Sequence, residues 1–258
     1  MSVDFALDGK VAIVTGAAVG GIGEAYAKAL ADVGAAVVCA DINEAGAKAV
    51  SEAIVASDGR ALAVGVDIAD ETSVQAMVDR TIAEFGGIDI LVNNAALMMQ
   101  IVGAPALAFP PELWDRAFTV NVKGAWNCSR LAAPSMIERG GGSIVNQSSV
   151  GAFPAESVYG ITKLALIGLT TTLARELGPS NINVNCIAPG MTQSEAGAVL
   201  TADGSPFYEA MKNRVAMPER ARGAPGDLCG ALLLFVSPAG RWITGQVLNV
   251  DGGIALHT

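Results

Sequence analysis

Short apolar, β-branched runs alternate along the chain with longer stretches in which apolar side chains recur every three or four positions. The runs at residues 10–15, 36–41, 61–66, 88–92, 143–147 and 183–187 read as strands buried on both faces. Between them, helices are predicted over residues 24–33, 45–56, 71–85, 112–139, 158–177 and 227–235. Strand followed by helix, repeated, predicts an α/β fold: a doubly wound parallel sheet with helices on both faces. No linker, repeat or low-complexity tract interrupts the pattern, so residues 1–258 read as a single domain. One stretch breaks the rhythm. From about residue 191 to 225, Gly, Pro and charges are scattered around a helical piece at 206–215, which reads as an insertion forming a lid over the site.

Composition narrows the function classes. Hydrophobic residues make up 52% and charged residues 16%, which excludes disorder and points to extensive burial. A formal charge of −9 with no basic stripe argues against a nucleic-acid partner. Acidic residues at the N-terminus and the lack of a long uncharged apolar run argue against a signal peptide or a membrane span, so a soluble, cytoplasmic protein is expected. Cys39, Cys128, Cys186 and Cys229 lack paired spacing and read as reduced core thiols. His257 is the only histidine, so histidine triads and multi-histidine metal sites are unavailable, and no metal is expected. Acid–base chemistry must come from Tyr, Lys or carboxylates.

The loops after the strands carry the candidate chemistry, because ligands of such sheets bind outside the strands' carboxyl ends. The first strand runs into Gly16, Gly20, Gly21 and Gly23 and then into a helix, the setting in which glycines let the backbone approach a pyrophosphate and helix amides receive it. Asp41 ends the second strand, where a carboxylate accepts from the adenosine ribose of NAD and repels the 2′-phosphate of NADP. Tyr159 and Lys163 stand one helical turn apart, so a cation there favours phenolate and suits the phenol to proton transfer. Taken alone, this pair reads more readily as a solvated Lys lying along a half-buried Tyr.

With these positions in hand, the sequence resembles the short-chain dehydrogenase/reductase family over essentially its whole length. The pieces that carry the resemblance are Thr15-Gly16 to Gly23, Asp67, Asn93-Asn94-Ala95-Ala96, Asn121, Ser148-Ser149, Tyr159 to Lys163, Pro189 to Thr192 and Gly252-Gly253. The resemblance implies a Rossmann-like fold and a catalytic tetrad of Asn121, Ser149, Tyr159 and Lys163, with Ser148 the alternative serine. Tyr159 would exchange the alcohol proton, the serine would hydrogen-bond the substrate oxygen, Lys163 would lower the phenol pKa and hold the nicotinamide ribose, and Asn121 would anchor a water-linked relay. By the same likeness Gly16, Gly21, Ile22 and Gly23 would cradle the pyrophosphate, Asp67 and Ile68 would meet the adenine, Asn94 the adenosine side, and Pro189, Gly190 and Thr192 the carboxamide. The chain departs from the family pattern in three places. The glycine loop is one residue longer, with Gly20 accommodating the extra residue; the interval from Ser149 to Tyr159 is a few residues shorter; and Ala96 replaces a usual glycine.

These features predict an NAD-dependent oxidoreductase acting on a hydrophobic or alicyclic secondary alcohol or its ketone. Met98, Met99, Ile101, Phe153, Pro154, Val199, Phe207, Tyr208, Met211 and Met217 are the candidate pocket residues, and packing within the lid is an equal explanation for them. A 3-oxoacyl thioester reductase is the alternative within enzymes, with Lys212, Arg214, Arg220 and Arg222 facing an acidic carrier. A non-catalytic NAD-binding sensor or scaffold is the alternative outside them. The resemblance implies a homotetramer or homodimer, with contact faces on the helices predicted at 112–139 and 158–177.

Overall fold

The structure is a computed structural model, which describes residues 4–103 and 106–256. His257 lies outside the described residues. In chain order the elements are β1 (Val11–Thr15), α1 (Ile22–Asp32), β2 (Ala36–Asp41), α2 (Glu44–Ala56), β3 (Arg60–Gly65), α3 (Glu71–Phe85) and β4 (Ile90–Asn93). Then follow α4 (Pro111–Phe118), α5 (Ala125–Glu138), β5 (Gly142–Gln147), α6 (Val158–Leu177), β6 (Ile182–Pro189), α7 (Ala198–Thr201), α8 (Pro206–Met211), α9 (Cys229–Val236) and β7 (Val247–Val250).

The strands form one parallel seven-stranded sheet in the order β3-β2-β1-β4-β5-β6-β7. Strand alternation sorts the core. Ala12 and Val14 pack with Tyr26, Leu30, Ile54, Leu232 and Phe235 of α1, α2 and α9, whereas Ile13 packs with Met77, Cys128, Met136 and Leu173 of α3, α5 and α6. Both faces are therefore covered, as the uninterrupted apolar strands require. The chain reverses direction across the sheet between β1 and β4, and the crevice outside their carboxyl ends is the place where such sheets bind ligands.

The sequence pattern differs from the structure in three places. The helix expected over 112–139 is broken: α4 and α5 are joined by a π-helical turn, Thr119–Gly124. The piece expected at 206–215 is helical only through Met211, after which a 3₁₀ turn, Lys212–Arg214, leads to extended backbone at Val215. The four-residue β7 went unpredicted because its partner is remote: it pairs with β6, Cys186 opposite Val247 through Pro189 opposite Val250. At the base of the 191–225 insertion Thr192 and Gly223 form a β-bridge, and the Met217 amide donates to the Gly252 carbonyl (3.1 Å). Gly252 and Gly253 have φ of +66° and +85°, and a Cβ at either would press on Val215 or Ala216, so glycine lets the C-terminal segment lie against the 191–225 insertion.

Candidate active site

Asn93, Ser129, Asn146 and Thr170 form a buried network beneath the crevice: Asn93 Nδ2 donates to Ser129 Oγ (3.0 Å) and Asn146 Oδ1 (2.9 Å), and Asn146 Nδ2 donates to Thr170 Oγ1 (2.9 Å). These bonds tie β4, β5, α5 and α6 together just below the chemistry. β5 runs one residue past its last rung with β4, Asn93 opposite Asn146, leaving Gln147 beyond the ladder on that side. The Lys163 ammonium donates to the Gln147 carbonyl at 2.7 Å.

Lys163 is almost completely buried and lies 5.5 Å from the centre of the Tyr159 ring, so the pair spaced one turn apart in sequence does share one face of α6. The Tyr159 phenol stands beside Ser149, close enough for the serine to favour its ionised form. Ser148 is committed elsewhere, its hydroxyl donating to the Lys163 carbonyl at 2.8 Å. Ser149 reaches the phenol because the loop to α6 is short and tight. The Ala155 amide donates to the Gly151 carbonyl (3.3 Å), Ala155 takes a left-handed φ of +49°, and Ser157 caps α6 at the Gly160 amide (3.1 Å). A Cβ on Gly160 would collide with the Gly151 carbonyl, so a glycine here lets the serine loop lie against the helix.

The π-helical turn places Asn121 inside the protein rather than on the helix surface. Its Oδ1 accepts from the Leu97 amide (2.7 Å), and its Nδ2 donates to the Leu97 carbonyl (2.9 Å) and to Thr162 Oγ1 (3.0 Å). Thr162 in turn donates to the Tyr159 carbonyl (2.8 Å). Asn121 thus pins the loop after β4 to the helix bearing Tyr159, an unusual backbone turn put to use at a site. The sequence reading missed Gln147 and Thr162, since neither the carbonyl at a strand's end nor a hydroxyl inside a helix leaves a pattern.

Burial is the largest influence on the Tyr159 phenol, raising it to about 12, and Ser149 is the neighbour that opposes it. Burial also pulls the Lys163 ammonium down to about 8, opposed by the neighbouring Cys186. Near neutral pH the pair therefore stands as a neutral phenol beside a largely protonated amine.

The glycine loop sits at the other end of the crevice. Gly16 has φ +69°, and a Cβ there would lie 2.8 Å from the Ala95 Cα; one on Gly23 would run into the Gly16 carbonyl. At Gly21, the N-cap of α1, the nearest atom to such a Cβ is 3.7 Å away, and no side chain caps the helix. An uncapped helix start next to Ile22, with no close contact at Gly21, fits a pyrophosphate. Asp41 Oδ2 accepts from the Ala18 amide (3.0 Å) and Oδ1 from the Asn43 amide (2.8 Å), fixing a carboxylate beside the loop. Asn94 Nδ2 donates to the carbonyls of Thr15 and Gly16 (3.0 Å each), so its side chain shapes the loop from below. Asp67 is exposed just past β3 with its carboxylate on the Ala69 amide (2.9 Å), whereas Ile68 is buried against Gly124. Pro189 ends β6, the Gly190 amide donates to the Val250 carbonyl (3.0 Å), and Thr192 Oγ1 donates to the Gly190 carbonyl (3.3 Å). Of the expected pocket residues, Ile101 is fully buried with Phe109, Ala117 and Val158 and supports the wall instead of lining it.

A crevice of this kind, running from an uncapped glycine turn to a serine, tyrosine and lysine at the switch point of a parallel sheet, places the chain among the dinucleotide-binding α/β proteins. Comparison with known proteins narrows the class. A family model described as Enoyl-(Acyl carrier protein) reductase matches residues 16–255. An uncharacterized oxidoreductase of Mycobacterium tuberculosis is 49% identical over 247 residues, covering 95% of this chain and 97% of its own. The D-threitol dehydrogenase of Mycolicibacterium smegmatis is 36% identical over 256 residues, covering 98% and 95%. A Beutenbergia cavernae crystal structure, provisionally described as an NAD(P)-dependent gluconate 5-dehydrogenase with NADP bound at low occupancy, superposes with a TM-score of 0.88 at 34% identity over 97% of this chain and 98% of that one. The chain belongs to the short-chain dehydrogenase/reductase family. It is an oxidoreductase whose fold binds a nicotinamide cofactor.

The buried Lys163 has a thermodynamic signature. Its folded pKa of about 8 lies below the ordinary 10.5, so between those values the unfolded chain binds a proton that the folded chain does not. The Lys163 contribution to stability therefore rises with pH across that window. Urea unfolding of wild type and Lys163→Met at pH about 7.5 and about 10 checks this. The stability difference between them should move in favour of wild type at the higher pH, and a difference that stays flat would show that the ammonium is not penalised by burial.

Proposed function

We propose that the protein is an NAD-dependent oxidoreductase that moves a hydride between nicotinamide and a secondary alcohol or its ketone. The observation that carries this reading is the Tyr159 phenol, set beside Ser149 with the buried Lys163 ammonium 5.5 Å from its ring centre. Bound nicotinamide supplies the hydride acceptor or donor. The Ser149 hydroxyl orients the substrate oxygen, and the Tyr159 hydroxyl takes or returns its proton. Lys163, held at the Gln147 carbonyl, provides the positive charge that favours phenolate. Asn121 keeps α6 and the loop at Leu97 in register with one another.

For the cofactor, Gly16, Gly21, Ile22 and Gly23 would hold the pyrophosphate, Asp41 the adenosine ribose, Asp67 and Ile68 the adenine, and Asn94 the loop at the adenosine side. Tyr159 and Lys163 would hold the nicotinamide ribose, with Pro189, Gly190 and Thr192 at the carboxamide. The Asp41 carboxylate beside the Ala18 amide favours NAD, since a 2′-phosphate placed there would meet like charge. Met99, Phe153, Phe207 and Met217 leave 37–50% of their surface exposed, which supports a hydrophobic substrate. The description of the matching family model favours a thioester reductase as the second reading. Against it, Lys212 pairs with Glu209 (2.5 Å), Arg220 with Asp227 (2.7 Å) and Arg222 with Asp203 (2.9 Å), so these lid cations are already engaged.

We infer a homotetramer or homodimer, since α5 and α6 leave Trp126, Ile137 and Leu164 exposed. No helix among the described residues is long and apolar enough to cross a membrane.

Tyr159→Phe should lower turnover at least about a hundredfold while NADH binding stays within about twofold. Retention of most activity would remove Tyr159 from the mechanism, and NADH binding without turnover by wild type over a broad panel of alicyclic alcohols, polyols and 3-oxoacyl thioesters would leave a sensor or scaffold. On the same panel, kcat/KM should favour NAD over NADP by about tenfold or more, and a preference for NADP would refute the role given to Asp41. Light scattering at micromolar concentration should return a mass of two or four chains, and a monomer would dismiss the inferred contact faces.

A further inference from the structure

The lid touches more than the mouth of the site. Gly20, the residue by which the glycine loop exceeds the family pattern, has φ +81°, a conformation open to glycine at little cost. Its carbonyl accepts from the Glu195 amide at 2.8 Å, and its own amide donates to Glu24 Oε2 at 2.7 Å. The Glu195 carboxylate folds over Gly20 so closely that a Cβ at that position would collide with Oε2. Glu24 is neutralised by Lys28 (2.6 Å), but Glu195 forms no ion pair among the described residues. Arg222, which shares a cavity of about 320 Å³ with Glu195, is held instead by Asp203 (2.9 Å) and by the Thr201 carbonyl (2.6 Å). An uncompensated carboxylate is therefore fixed by a backbone bond against the turn that starts α1.

We propose that Glu195 is a charge gate on the cofactor pocket, opposing the arrival of the dinucleotide pyrophosphate and hastening its departure. The proposal rests on the reading that this glycine loop binds a dinucleotide. Like charges separated by several ångströms at a protein surface repel enough to change an affinity by about fivefold. The extra residue in the loop has a specific consequence on this view: it supplies the carbonyl to which the lid is tied, and so sets where the carboxylate stands. Because the gate is part of the lid, a pyrophosphate that displaces Glu195 also loosens the lid at the edge nearest the cofactor.

Fluorescence titration with NADH tests the gate without any turnover measurement. Glu195→Gln, and Glu195→Ala as a second variant, should bind NADH about fivefold more tightly than wild type at low salt, and that advantage should shrink in about 0.5 M NaCl. Glu219→Gln, which removes an exposed lid carboxylate outside the site, should bind as wild type does. Unchanged or weaker NADH binding by both Glu195 variants, with melting curves like wild type, would overturn the proposal, as would an advantage insensitive to salt. Failure of wild type to bind either NADH or NADPH would instead overturn the cofactor reading, a result readily told apart from these.

Discussion

Removing an ammonium from water costs several kcal/mol, and at Lys163 that cost is met by one short hydrogen bond to a strand carbonyl and by the surrounding polar backbone. The requirement reaches well into the fold. The Gln147 carbonyl is free for Lys163 because β5 outruns β4, and Lys163 reaches it because α6 lies over β5 and β6. The helix is set in place by Ser148 at the Lys163 carbonyl and by Thr162, which links it to Asn121. The aromatic hydroxyl gains its setting from the same packing, since the short loop that presses Ser149 toward α6 also gives Tyr159 its hydroxyl neighbour.

Desolvation has two consequences that oppose each other. It drives the phenol upward and the amine downward, which disfavours the charged form of each and on its own would make Tyr159 a poor base. It also lowers the local dielectric, which strengthens any charge placed beside them. The carboxylates of Asp41 and Glu195 both stand against the glycine loop: one is fixed at the end of β2 and the other is carried by the 191–225 insertion.

The 191–225 insertion shows how a segment of weak local propensity obtains order from elsewhere. Its helices are short, and its fixed points are backbone bonds made at its ends: Thr192 with Gly223 at the base, Met217 with Gly252 on the C-terminal segment, and Glu195 with Gly20 on the glycine loop. Each anchor joins residues far apart in sequence. Glycines in left-handed conformations at Gly20, Gly252 and Gly253 let these backbones come close enough to bond.

Most of the layered fold could be read from the sequence, because a strand buried on both faces must be apolar throughout and a covering helix must repeat its apolar positions every three or four residues. The glycine turn, Asp41 and the spacing of Tyr159 and Lys163 were legible for the same reason: each depends on neighbours within one turn or one loop. The break in the helix at Thr119–Gly124 and the pairing of β7 with β6 were not, because they are settled by partners remote in the sequence. The direction of the Tyr159 shift also belongs to the tertiary structure, since sequence spacing brings a cation to the phenol but only packing decides how much water is left around either group. Local chemistry thus determined which residues meet at the carboxyl edge of the sheet, and long-range packing decided their protonation, their partners and what lies over them.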